Sequence, residues 1–235
     1  MVLNHQFWAG IFRREFAQQL RAIVETLEKR VLPAFDNIDS EANAVAEETW
    51  DAFMSAPGTG DEDPGDFADA AQDAGISHYS LHYGIRQGMI NLFAAALYHA
   101  FEQQIMLLLR REILRPREEN DPKLFQLSEF QKRLKGLNID TAALPSWATV
   151  DELRLVANTV KHAEGAAAHK LHQVNPDLFV SPRTAELGLA FRPKEPRVFS
   201  PLLGEDLYVT VADVERYRDA LLDFWQELGK AMELA

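Results

Sequence analysis

The 235-residue chain has no cysteine, which excludes disulfides, cysteine-ligated zinc, iron–sulfur clusters and cysteine nucleophiles. It also lacks a Gly-rich phosphate-binding loop, a His-Glu-x-x-His helix and a Gly-x-Ser-x-Gly elbow. There is no long uninterrupted apolar run. The most apolar stretch, residues 89–109, is broken by Asn91, His99, Glu102, Gln103 and Gln104. A spanning helix takes about 20 mostly apolar residues, so this stretch reads as a buried core helix. The start, MVLNHQFWAGIFRREF, lacks the basic end, apolar stretch and small-residue cleavage site of a signal peptide. These absences lead us to expect a cytoplasmic protein with no membrane association.

Basic residues are missing from a quarter of the chain. Residues 31–85 hold twelve acids (Asp36, Asp39, Glu41, Glu47, Glu48, Asp51, Asp61, Glu62, Asp63, Asp66, Asp69 and Asp73) and no Lys or Arg. The formal net charge of −12 lies wholly there, because the other 24 acids balance 24 bases. A nucleic-acid surface elsewhere is therefore not vetoed by the overall charge, and the acidic region could dock a basic protein partner.

What is present is mostly helical period. With 47% hydrophobic residues the chain can bury a core, and it shows neither repeats nor a linker, so residues 1–235 read as one domain. Phe7, Ile11, Phe12, Phe16, Leu20, Ile23, Leu27 and Val31 form an amphipathic stripe ended near Pro33. A second helix is expected from Ser40, as N-cap, to Pro57. It precedes an exposed, mobile acidic loop over residues 55–66. A long helix is expected over residues 77–114, with Gly84 and Gly88 admitting a neighbouring helix closely. Residues 124–137 form a short amphipathic piece, and Pro145-Ser146 opens another helix with Ser146 as N-cap. Residues 177–209 read as an irregular insert in which Val198-Phe199 and Leu207–Val209 pair as a hairpin across Gly204-Glu205. Thr210 caps the last helix with Asp213 at its third position, and its apolar stripe runs Val214, Tyr217, Leu221, Phe224, Trp225 and Leu228. The expected fold is all-α, a bundle of about six helices with a small extended insert before the last.

The segment DELRLVANTVKHAEGAAAHKLH, residues 151–172, carries the most chemistry. Arg154, Asn158 and His162 recur every four residues and share one helical face, while Leu153, Val156, Ala157 and Val160 point to the core. A cation, an amide and an imidazole on one face can grip and protonate a phosphodiester. Lys161 lies beside them as a second cation, and His169 and His172 would extend the face if the chain folds back. The same spacing also describes an ordinary solvated helix face.

The string ELRLVANTVKH, after Trp147 and on a late helix of an all-α chain, resembles the HEPN superfamily of dimeric helical bundles. The resemblance implies a homodimer that binds or cleaves RNA without metal, as an endoribonuclease of toxin–antitoxin or phage-defence systems. It also implies catalytic roles for His162 as acid or base, Arg154 for the phosphorane charge and Asn158 for orientation, with Lys161, His169 and His172 binding substrate. The family's Arg stands immediately before the polar residue, where this chain has Ala157. The alternative is a non-catalytic helical dimerisation or interaction module with a degenerate site. Neither cofactor nor metal is expected.

His78 and His82 are four apart and could share a metal ion, but no third ligand is fixed by the sequence, and core or surface histidines are the simpler reading. His99 and Glu102 face alike without the paired motifs of a di-iron bundle. Arg110, Arg111, Arg115, Arg117, Lys123, Lys132, Arg133 and Lys135 are interleaved with acids and read as a solvated face rather than a phosphate-backbone surface.

Overall fold

A computed structural model describes residues 3–57, 63–118, 120–186, 188 and 192–234. The protein is an all-α helical bundle, and no strand occurs among the described residues. Helix α1 (His5–Ile11) passes through a π turn, Phe12–Phe16, into α2 (Ala17–Thr26). A second π turn and a 3-10 turn holding Pro33 end this first arm. Then come α3 (Ile38–Ser55), α4 (Pro64–Leu108, prolonged by a π turn to Ile113), α5 (Leu127–Lys135), α6 (Trp147–His162), α7 (Ala166–Val174), α8 (Pro182–Glu186) and α9 (Val211–Leu234).

The core is aromatic and joins the first, fourth, sixth and last helices. Phe12 stacks on Trp225 with centroids 4.7 Å apart, and Phe101 meets Phe224 edge-on at 5.0 Å. The apolar stripe expected in α9 is buried from Val214 to Leu228. Each such side chain contributes roughly 1.5–3 kcal/mol on leaving water. Trp225 keeps its indole N–H satisfied on Gln104 Oε1 at 2.8 Å. Helix α4 with its π turn is long and apolar enough to cross a membrane, and half of its most apolar window is buried inside the protein.

Several local expectations change. Helix α3 starts at Ile38 rather than after Ser40, whose hydroxyl bonds back to the Asn37 carbonyl. Helix α4 starts at Pro64, thirteen residues earlier than expected. Asp63 caps it by accepting from the Gly65 N–H at 2.8 Å, and Pro64 suits the first helical position. Of the expected mobile loop, Ser55 therefore belongs to α3 and Pro64–Asp66 to α4, while residues 58–62 lie outside the described ones. Ser146 stands at the expected N-cap position of α6 but makes no side-chain cap bond, because its hydroxyl and N–H go to Glu227 Oε2, at 2.6 and 3.2 Å. Thr210 and Asp213 do form the expected reciprocal cap.

The hairpin in the insert does not form. A lone two-stranded ribbon is marginal in water, and α4 offers better partners. Asn91 donates to the carbonyls of Pro201 and Leu207 and accepts from the Val209 N–H, while Gln87 donates to the Val209 carbonyl. The backbone N–H of Tyr208 donates to the Leu178 carbonyl at 2.7 Å. The expected turn is real, with Gly204 in the left-handed region at φ 76°. Its neighbours cover Gly84 and Gly88: a Cβ on either would overlap the carbonyl oxygen of Leu203 or Leu202. Those glycines admit the chain's own turn, not a second helix.

Candidate functional site

Helix α6 carries the expected residues because its stripe of Leu153, Val156, Ala157 and Val160 is buried, which turns Arg154, Asn158 and His162 outward. The chain leaves α6 at Ala163, whose φ of 56° lies in the region that glycine tolerates best, and turns back into α7. This reversal makes a cleft of about 280 Å³ lined by Arg154, Asn158, His162, Gly165 and Lys170. Three expected site residues are thus brought together, and Lys170 joins them.

Their partners narrow what the cleft can do. Arg154 Nε donates to Asp151 Oδ1 at 2.7 Å, and this bond holds the guanidinium pKa above its ordinary value. The Asn158 amide donates to the Arg154 carbonyl of its own helix at 2.8 Å. His162 is exposed and makes no hydrogen bond among the described residues. Ala157 is only 2% exposed, so the position at which the resemblance leads one to expect Arg faces the core. Lys161 and His169 are exposed and do not line the cleft. His172 turns toward the insert, with Nε2 2.9 Å from the Pro193 carbonyl and its ring edge-on to Phe179.

The most complete polar cluster is on the opposite face of the same helix, and sequence reasoning missed it. Glu152 is 9% exposed and accepts from Arg216 at 2.8 and 3.3 Å, from the Tyr217 hydroxyl at 2.7 Å and from the Asn175 amide at 2.9 Å. Burial alone would push its pKa up, but the bonds from Arg216, Asn175 and Tyr217 outweigh it and hold the carboxyl below its ordinary value. Burial also pushes the Tyr217 phenol up, aided by the Glu152 charge. The signal was legible: Glu152 stands four residues before Val156, on the apolar stripe, where an acid needs a cation.

Within the basic segment, Lys132, Arg133 and Lys135 are paired with acids. Arg133 binds Glu118 at 2.8 Å and Glu129 at 2.7 Å, and its hydrogen bond draws the Glu118 carboxyl down to about 2. His99 is paired with Glu102 at 2.9 Å. His78 and His82 do acquire a third neighbour, Glu41 of α3, which the sequence did not disclose. No protein-family model, curated protein or solved structure matches this chain.

Proposed function

We propose that the chain is a cytoplasmic, HEPN-like helical interaction module whose Arg154–Asn158–His162 face does not cleave RNA. The observation that carries this reading is the commitment of Arg154 to Asp151. A cation that stabilises a phosphorane must meet charge as it develops; Asp151 occupies the Nε of Arg154 and sets a negative charge beside any phosphate that Arg154 would meet. Exposed Phe199, Leu202 and Leu203 on the insert favour association with protein, a second copy of the chain being the partner expected. The acidic stretch of residues 31–85 would serve a basic partner.

Purified protein incubated with single-stranded RNA should give no cleavage above buffer, and its sedimentation mass should exceed that of the 26.6 kDa monomer. Cleavage that His162→Ala abolishes would overturn the reading. One observation favours the metal-independent endoribonuclease instead: Arg154, Asn158 and His162 share one cleft with Lys170. On that reading EDTA leaves cleavage intact, and a toxin–antitoxin or phage-defence role follows.

A further inference from the structure

His78 and His82 stand one turn apart on α4, the spacing that puts two imidazoles on one face, and their rings lie 4.2 Å apart. Helix α3 runs back along α4 and brings Glu41 to them, with Oε2 3.6 Å from His78 Nε2. One ligand atom from each of Glu41, His78 and His82 lies within 4.8 Å of the other two. Ligands about 2.1 Å from a tetrahedral zinc are separated by about 3.4 Å, so small side-chain rotations complete a three-ligand shell.

A second observation is independent of that spacing. His78 Nε2 is enclosed by protein and has no hydrogen-bond partner, and 3.6 Å is too long for a bond to Glu41. A ring nitrogen closed off from water and without a partner asks for a ligand. Residues 31–85 hold no Lys or Arg, and the first cation along α4 is Arg86, one turn beyond His82. Helix α3 also needs a tie. It buries only Ile38 and Ala42, and neither belongs to the main aromatic core.

We propose that Glu41, His78 and His82 bind zinc, with water in the fourth position, and that the ion staples α3 to α4. Two imidazoles and one carboxylate suit zinc better than magnesium or calcium, which prefer oxygen ligands. A site with three protein ligands leaves one coordination position exchangeable.

The test uses the full chain, stripped of metal with a chelator and dialysed. Titration with zinc against a chromophoric chelator should show one equivalent bound, cobalt should give tetrahedral absorption bands, and zinc should raise Tm. His82→Gln and Glu41→Gln should each weaken zinc binding about ten-fold or more while the far-UV spectrum stays the same. His99→Gln, at the other histidine–carboxylate pair, should leave affinity unchanged. The proposal is overturned if the wild type takes up no zinc in the micromolar range, or if the double variant His78→Gln/His82→Gln binds it as tightly.

Discussion

Asp151 and Glu152 are neighbours in sequence, and α6 turns them, about 100° apart, toward different partners. Asp151 holds Arg154, which lines the open cleft, in a single ion pair. Glu152 faces α9 and accepts four hydrogen bonds from Arg216, Tyr217 and Asn175. An exposed pair exchanges hydration for contact at little net gain. A buried acid has no such fallback, so every lone pair it presents must be met by the fold. The regularly spaced face drew attention as chemistry, yet the irregular one is where the structure concentrates its polar organisation.

The largest effect should come from Glu152→Ala. It leaves the Tyr217 hydroxyl buried without its acceptor and strips Arg216 of its main partner, which should cost about 3 kcal/mol. The measurement is a denaturant midpoint at unchanged m-value; a loss below about 1 kcal/mol would dissolve the contrast between the two faces. Acid should expose the same group. Because the folded pKa of Glu152 lies below its ordinary 4.5, its stabilisation is complete above that value and is lost as pH falls through the lowered one. Glu152→Gln should therefore flatten the fall in stability below pH 4.5, a point that acid titration of the melting temperature checks.

Tyr217→Phe removes one of the four bonds while keeping the ring, and should cost about 1 kcal/mol in the same denaturation experiment. Ala163→Gly should do the opposite. It relieves a residue at φ 56° where α6 ends, and a gain of about 1 kcal/mol in thermal unfolding is expected. Arg154→Ala, on the open face, should shift stability by only about 0.5 kcal/mol. A loss as large as that of Glu152→Ala would show that the cleft is as tightly organised as the buried cluster.

Much of this was legible in the chain. The apolar stripes of the first arm, of α6 and of α9 were read from period alone, because burying a stripe is what makes a short helix stable. The cap at Thr210 and the turn at Gly204 were legible because both rest on local backbone chemistry. The outward placement of Arg154, Asn158 and His162 followed from the buried stripe between them. Other features were not local. Nothing near Gly84 or Gly88 in sequence says that Leu202 and Leu203 will lie on them, and nothing near Asn91 says that its amide will replace a hairpin partner.

The sequence by itself determined the helical class, the faces that turn inward and the acidic stretch without bases, since each depends on residues within a few turns of one another. Tertiary structure alone decided the partners. It brought Glu41 to His78 and His82, and closed Arg216, Tyr217 and Asn175 around Glu152. The physical reason is range. Helical period repeats every 3.6 residues and can be read locally, whereas a buried polar group is satisfied by whatever packing brings to it, and those donors lie 23 to 65 residues away along the chain.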